Sequence, residues 1–289
     1  MPKDNRYYIN SEKDSYNRFV KMRKILIQAC LKFKFLLLSC RCRKGQRKKR
    51  NPLRVALYYR ICEQGYVKTK EPYITKENCL ANAVAQFPLS RVQWLVVADN
   101  VSDETYQMIR KYIPESQIRR VSVGNGAGTF RMVYEEAMRQ DDDTLVYFLE
   151  DDYLHRPQAL DCLLDAARAN KADYLTLYDH PDKYSDASPN PFVTDGSERT
   201  KVFCINGWHW KYTNSTTMTF AAFSDTLKRD RNVFWRWTET HHPYDFQIFL
   251  DLKYFDKKRL MSPIPSLSTH GDSDCIALGV DWEKIAENV

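Results

Sequence analysis

Glu150, Asp151 and Asp152 place three carboxylates in a row, directly after the apolar run TLVYFL. Adjacent carboxylates repel one another unless a cation lies among them. Mg²⁺ and Mn²⁺ prefer oxygen ligands, and proteins often bind them through one or two carboxylates together with the phosphates of a substrate. This acid triplet is therefore a candidate site for Mn²⁺ or Mg²⁺ that neutralises a departing diphosphate. An acidic turn, or acids at the N-terminus of a helix, would give the same residues without a metal.

A second acidic run, 141–143, precedes the same apolar run. If that run is a strand, these acids lie at its other end. We interpret them as a solvated turn.

The pattern around the triplet predicts strands that alternate with helices. Helices are expected after the N-caps Thr75 and Ser102, after the glycine-containing loop 124–128, and after Pro157. Such alternation is typical of a mainly parallel sheet with helices on both faces, and it defines an α/β fold. The apolar runs predict strands at 53–59, 92–98, 118–123, 144–149 and 173–178.

Beyond residue 180 the pattern is looser. It predicts a long surface loop over 181–200, a strand over 213–223, a helix over 241–254 that is entered through Pro243, and a loop over 263–274.

Ligands of open parallel sheets bind at the carboxyl ends of the strands. Three predicted strands end in polar residues, and we expect these to converge on one edge. They are Tyr59-Arg60, Asp99-Asn100 and the acid triplet.

The order of these segments resembles the GT-A glycosyltransferases, close to glycosyltransferase family 2. LRVALYYR is similar to the nucleotide-binding first strand, VVADNVSDET to the second strand with its acidic end, and GNGAGTFRMVYEEAMRQDDDTLVYFLEDD to the run that leads to the DXD motif. The resemblance is close over 53–153 and looser over 200–275. It implies a GT-A domain over 53–289, with a nucleotide-sugar-binding half at 53–153 and an acceptor-binding half at 154–289. The first strand departs from the family pattern because it ends in YYR, and the triplet departs because it begins with Glu.

The resemblance implies roles for single residues. Asp99 is expected to bind the uracil or ribose of the donor, and Arg131 to face the diphosphate or donor sugar. Asp152 would be the direct metal ligand with Glu150 beside it, and Asp151 would contact the ribose or a metal-bound water. Tyr59 and Arg60 are candidate contacts to the base.

Three further predictions concern the second half. An inverting transferase needs a carboxylate that takes the proton of the acceptor hydroxyl, and Asp245 is the candidate. The resemblance implies a third metal or phosphate contact from a histidine in this loop, His270 in STHG, and neutral imidazole suits manganese. Flat aromatic faces stack on sugar rings, so Trp208, His209 and Trp210 are tentative acceptor contacts. Asp245 could equally be a helix N-terminal acid, and His270 a loop histidine without a ligand.

These residues together predict a metal-dependent glycosyltransferase. It would move a sugar from a nucleotide-diphosphate donor, with UDP as the expected nucleotide, to a hydroxyl of a glycan acceptor with inversion. A retaining transferase, a sugar nucleotidyltransferase and a membrane-associated protein without enzymatic activity remain alternatives.

The N-terminal extension, residues 1–52, differs in charge from the rest. Residues 1–53 hold 16 Lys and Arg against 3 Asp and Glu, which leaves 28 against 34 for the remainder of the 289 residues. The apolar segment 25–38 lies beside a basic cluster, so residues 20–50 are a candidate peripheral membrane contact. A solvated tail, a helix packed on the body, a nucleic-acid-binding arm or a localisation signal would also fit. The body has no clustered basic surface that predicts nucleic-acid binding. Eight cysteines without a CxxC pair favour reduced thiols and a cytoplasmic protein.

Overall fold

The computed structural model describes residues 22–23, 54–63 and 69–288. The N-terminal extension with its candidate membrane contact at 20–50 lies outside these residues, apart from Met22 and Arg23. In the part of the chain that is described, no helix is long and apolar enough to cross a membrane. Arg23 packs on the body, where its guanidinium pairs with Asp251 and lies 5.3 Å from the ring centre of Trp237.

A nine-stranded sheet forms the centre of the protein, in the order β3-β2-β1-β4-β11-β6-β12-β10-β9. Of the nine strands that the described residues form in this sheet, β10 and β11 run against the other seven. The expected mainly parallel α/β fold is thereby confirmed. The strands are β1 (Arg54–Cys62), β2 (Gln93–Asp99), β3 (Ile118–Val121), β4 (Thr144–Glu150), β6 (Tyr174–Leu175), β9 (Val202–Ile205), β10 (Trp208–Thr213), β11 (Phe220–Phe223) and β12 (Leu260–Ile264).

Four short strands pair outside this sheet, β5 with β13 and β7 with β8, both antiparallel. They are β5 (Tyr153–His155), β7 (Val193–Thr194), β8 (Ser197–Glu198) and β13 (Ser268–His270).

Helices cover both faces of the sheet. Both expected N-caps are confirmed. The hydroxyl of Thr75 accepts from the amide of Asn78, and the hydroxyl of Ser102 accepts from the amide of Thr105. The third helix begins inside the glycine loop, because the side chain of Asn125 caps it there. The helices are α1 (Lys76–Gln86), α2 (Asp103–Arg110), α3 (Gly126–Met138), α4 (Ala159–Ala169), α5 (Ser224–Arg236), α6 (Asp245–Tyr254) and α7 (Trp282–Glu287).

The central strands are buried on both faces, which explains their continuous apolar sequences. In β1, Leu57 and Tyr59 face one hydrophobic cluster, while Ala56 and Tyr58 face the other. The first cluster packs under α1, α4 and α7, and the second under α3, α5 and α6.

The second half of the chain departs from the expected elements. The predicted strand 213–223 is two strands, β10 and β11, separated by residues 214–219, and β9 was not expected. The predicted loop 263–274 contains the end of β12 and all of β13, and the predicted loop 181–200 contains a 3-10 turn and the β7–β8 hairpin. These strands are two to six residues long and pair with partners distant in sequence, so periodicity within one segment carries little information about them.

His155 gives the fold a pH dependence. The ring is fully buried, one nitrogen lies 2.8 Å from the hydroxyl of Tyr147, and Nδ1 has no hydrogen-bond partner among the described residues. Burial lowers the pKa of His155 to about 3. Between that value and the unfolded pKa of about 6.5, only the unfolded chain binds the proton, so stability falls as the pH falls.

We therefore expect the wild type to lose about 1.4 kcal/mol more unfolding free energy than His155→Phe between pH 7.5 and pH 5.5. Urea denaturation at both pH values measures this difference. The exposed His209→Gln variant is the control and should keep the wild-type pH dependence. Equal losses in the wild type and His155→Phe would contradict the assignment.

Candidate active site

The sheet register brings the expected strand ends together. In β1, Arg60 is paired with Glu150 of β4, and Cys62 with Asp99 of β2. The guanidinium of Arg60 is 7% exposed and donates to Glu150 Oε1 at 2.8 Å and to the carbonyl of Gly126 at 3.0 Å. The predicted convergence at this edge is therefore present, and Arg60 lies there as a fixed ion-pair partner of the triplet.

Two lysines that sequence reasoning missed complete the surroundings of the triplet. Lys76 Nζ lies 3.1 Å from Asp151 Oδ2, which also accepts from the amide of Cys62 at 3.2 Å. Lys70 Nζ lies 3.2 Å from Asp152 Oδ2. Each acid of the triplet thus has a cationic partner, although the sequence does not say which acids residues 70 and 76 pair with.

Burial, together with smaller effects of the neighbouring charges, shifts the pKa values of these carboxylates. Burial raises the pKa of Glu150, against the opposing charge of Arg60. Burial also raises the pKa of Asp151, where the like charge of Asp152 adds to it and Lys76 opposes it. For Lys76, burial lowers the pKa, but the charge and hydrogen bond of Asp151 outweigh burial and the net pKa is raised. The cluster is thus one that additional positive charge would relieve.

This donor set fits the metal that the fold family implies. The side chains of Asp151 and Asp152 each keep 14% of their surface exposed at the sheet edge, and both offer carboxylate oxygens, which Mg²⁺ and Mn²⁺ prefer. Asp151 and Asp152 are therefore the residues that would hold such an ion, with Glu150 engaged by Arg60.

His270 lies beside the triplet because β13 pairs with β5, so that His270 is opposite Tyr153. Its Nε2 is 3.7 Å from Asp152 Oδ2, and its Nδ1 accepts the amide hydrogen of Asp272 at 2.9 Å. Since Nδ1 carries the lone pair in this arrangement, neutral His270 has its proton on Nε2. Binding a metal through Nε2 would require the opposite tautomer and the loss of the Asp272 bond, so the metal role of His270 stays a prediction.

His270 also belongs to a second group. Ligand atoms of His270, Asp272 and Cys275 lie within 4.8 Å of one another.

Asp99 organises the glycine-containing loop. Its buried carboxylate accepts from the amides of Val123 at 2.7 Å and Gly124 at 2.9 Å. Gly124 has a φ of 75°, a conformation that glycine adopts without strain. Asp99 thus fixes the loop that leads into α3, and its expected contact to the uracil or ribose stays a prediction.

Two predicted donor contacts, Tyr59 and Arg131, pack against other parts of the protein. The ring of Tyr59 is fully buried in the hydrophobic core, so it offers no face to a base. The guanidinium of Arg131 donates to the hydroxyl of Thr238 at 2.9 Å and the carbonyl of Trp235 at 2.7 Å. Arg131 therefore joins α3 to the end of α5, and its contact to the diphosphate or donor sugar stays a prediction.

Asp245, the first residue of α6, lines a cleft of about 170 Å³. The lining residue Thr217 has its hydroxyl 2.6 Å from that of Tyr153, the residue that follows Asp152 in the chain. Asp245 is close enough to Glu150 that its charge raises the Glu150 pKa further, after the effects of burial, Arg60 and Asp152. The lining residues are His180, Asp182, Pro189, Asn190, Ser215, Thr216, Thr217, Asp245 and Phe246.

The sequence indicated Asp245 but not the other residues that line this cleft. His180 Nδ1 lies 2.9 Å from Asp182 Oδ1, and the amide of Asp182 also approaches Nδ1 at 3.1 Å. Behind them, the buried Lys183 donates to Asn214 at 2.9 Å and Ser215 at 2.7 Å. A buried lysine with these partners ties the 3-10 turn at 181–184 to the segment 214–219.

The predicted aromatic acceptor contacts lie elsewhere. Trp210 is fully buried in the core, and Trp208 packs with its ring 5.1 Å from the guanidinium carbon of Arg156. His209 is exposed on β10 between them. None of the three lines the cleft, so the acceptor role predicted for them is not supported by their positions.

A model of glycosyl transferase family 2 matches residues 70–224, more than half of the 289 residues. The matched span includes Lys70, Asp99 and the triplet, and it ends before Asp245 and His270. A search of the curated proteins finds no significant match.

Among solved structures with similar folds, a TarS fragment (1–349) from S. aureus is 16% identical at a TM-score of 0.42, over 72% of this chain and 57% of that chain. The galactosyltransferase LgtC, in complex with donor and acceptor sugar analogs, is 11% identical at a TM-score of 0.44, over 81% of this chain and 96% of that one. The chain thus spans little more than half of the TarS fragment.

The segment that carries Lys70 is packed against the triplet so closely that Gly271 has no room for a side chain. A Cβ on Gly271 would lie 2.3 Å from Ile74 Cγ2 and 2.9 Å from the carbonyl oxygen of Asp152. Because neither neighbour can yield without a backbone shift, we expect Gly271→Ala to lower the unfolding free energy by about 1–3 kcal/mol.

Chemical denaturation measures this loss. Gly126→Ala is the matched control at the same edge, because its nearest neighbour, Pro243 Cδ, is at an ordinary 3.8 Å. A stability loss in Gly126→Ala as large as that in Gly271→Ala would contradict the close packing described.

Proposed function

Because the chain belongs to glycosyl transferase family 2, we propose that it transfers a sugar from a nucleotide-diphosphate sugar to a hydroxyl group of a glycan acceptor. UDP is the proposed nucleotide. The observation that supports this function best is the contact between the Asp245 cleft and the chain directly after the acid triplet, where the hydroxyl of Thr217 lies 2.6 Å from that of Tyr153. A donor diphosphate at the triplet and an acceptor in the cleft would then be neighbours.

The charged side chains at the acid triplet support a donor site there. Asp151 and Asp152 would hold Mn²⁺ or Mg²⁺, and a bound divalent ion supplies positive charge to the oxygens of the departing diphosphate. The amides of Val123 and Gly124 are engaged by Asp99, which keeps the adjoining loop and the start of α3 in place. The family match includes these residues, which counts against the nucleotidyltransferase alternative.

The acceptor end is supported by a carboxylate in a polar cleft. We propose that Asp245 takes the proton of the acceptor hydroxyl while that oxygen attacks the anomeric carbon and the bond from this carbon to the diphosphate breaks. Attack from the face opposite the leaving group inverts the anomeric configuration. The cleft offers hydroxyl, amide and carboxylate groups, which suits a polyhydroxylated acceptor.

The metal role of Asp152 can be tested with Asp152→Asn, which keeps the size of the side chain and removes its charge. We expect Mn²⁺-dependent release of nucleoside diphosphate from a panel of nucleotide sugars to fall at least about 100-fold. The matched control is Asp142→Asn, which changes an exposed aspartate at the other end of β4 and should keep wild-type turnover. Equal turnover in Asp152→Asn and the wild type would contradict the assignment.

The base role of Asp245 predicts a separation of binding from chemistry. In Asp245→Asn we expect the Kd for the donor nucleotide to stay within about twofold, while transfer to an acceptor falls about 10²- to 10⁴-fold. Calorimetry measures the Kd, and NMR of the product gives its anomeric configuration. Wild-type transfer by Asp245→Asn, or a product with the donor's own configuration, would rule out inversion through this carboxylate.

A further inference from the structure

The three cations around the triplet are not equivalent. Arg60 is almost completely buried, pairs with Glu150 and Gly126, and packs 5.4 Å above the ring of Phe130. Lys70 and Lys76 each keep 31% of their side-chain surface exposed. Within residues 54–63 and 69–288, each of these two ammonium groups pairs with a single carboxylate. Arg60 is therefore held in place, whereas the partly exposed lysines can leave their carboxylates once another cation takes over those carboxylates.

We propose that Lys70 and Lys76 are exchangeable counter-ions of Asp152 and Asp151, and that they pass to the donor's diphosphate when a divalent cation takes their place. This inference rests on the proposed function, because it concerns the same donor site. It adds two positioning residues that bind diphosphate oxygens in the loaded state.

The charges at the site favour such an exchange. Asp151 and Asp152 carry two negative charges, and Lys70 and Lys76 carry two positive charges at 3.1 and 3.2 Å. A divalent ion that enters would leave the four side chains and the ion with a net charge of about +2. Diphosphate oxygens are the negative charge that the donor brings, so the released ammonium groups and the diphosphate neutralise each other.

The positions of the lysines favour the same partner. Lys76 is the first residue of α1, an 11-residue helix, where a positive charge opposes the helix dipole and an anion is favoured. The backbone beside Lys70 is held in place. The carbonyl of Thr69 accepts from the amide of Ser273 at 2.9 Å, and the backbone of Lys70 forms an antiparallel β-bridge with that of Asp272. Because lysine is a point charge on a flexible stem, the ammonium can move while this backbone stays.

Two effects of opposite sign follow from the exchange. Lysines that compete with the metal weaken its binding when no diphosphate is present. Lysines that are released onto the diphosphate strengthen diphosphate binding when the metal is present. Metal and diphosphate should therefore bind with positive coupling that depends on these lysines.

The experiment uses Mn²⁺ and inorganic pyrophosphate, which carries the diphosphate without any base, so that the nucleoside does not decide the outcome. Calorimetry gives the Kd of Mn²⁺ alone, and then the Kd of pyrophosphate at saturating Mn²⁺, for the full-length wild type, Lys70→Met and Lys76→Met. We expect each variant to bind Mn²⁺ about fivefold tighter and pyrophosphate about tenfold weaker than the wild type.

Two kinds of control accompany these variants. Lys228→Met removes a lysine that pairs with Asp142 at 2.7 Å at the other end of β4, and it should leave both Kd values unchanged. Lys76→Arg keeps the charge and should bind Mn²⁺ as the wild type does. Thermal unfolding midpoints that match the wild type show that the variants are folded.

The outcomes separate this inference from the proposed function. Mn²⁺ binding that is unchanged in both Lys→Met variants, or a change of the two affinities in the same direction, would overturn the exchange while leaving the metal site intact. A wild type that binds no Mn²⁺, with or without pyrophosphate, would refute the metal-dependent function and the exchange with it.

Discussion

The partial burial of three consecutive carboxylates at one edge of the sheet is the constraint on which the arrangement of this site depends. Each carboxylate needs positive charge nearby, because its desolvation is otherwise unfavourable. Three residues supply this positive charge. Arg60 lies at the end of β1, Lys70 lies in the segment whose Ile74 packs against Gly271, and Lys76 begins α1. The parallel register of β1 and β4 sets the first partner, and the packing of residues 69–76 on the β13 region sets the other two.

Sequence patterns predicted the structural features that depend on short stretches of the chain. The first four strands, the caps at Thr75 and Ser102, and the position of the triplet at the end of β4 followed from apolar runs and turn residues. The carboxyl ends of parallel strands lie at the same edge of a sheet, so knowing where β1 and β4 end was enough to expect Arg60 near Glu150. Family membership was predicted for the same reason, because the resemblance depended on the order of those segments.

The remaining features depend on contacts between distant segments. Trp210 was a tentative acceptor contact, yet β9 and β12 flank it and it is fully buried. Tyr59 was a candidate contact to the base, but it is fully buried. Alternation along a strand that is buried on both faces does not show which face meets a ligand. One signal for Lys76 was present: a lysine at the first position of a helix opposes the dipole, so a nearby acid could have been expected.

The triplet and the cleft differ in how their charges are arranged. Arg60, Lys70 and Lys76 surround the acids where a diphosphate would lie, whereas Asp182 and Asp245 line the cleft where a hydroxyl would lie. A carboxylate that accepts a proton must remain ionised, and the nearby triplet would oppose this if its own charges were not balanced. Since Asp245 raises the pKa of Glu150, the two ends are in electrostatic contact. The buried Arg60–Glu150 pair therefore both orders the donor end and limits the repulsion that reaches the acceptor end.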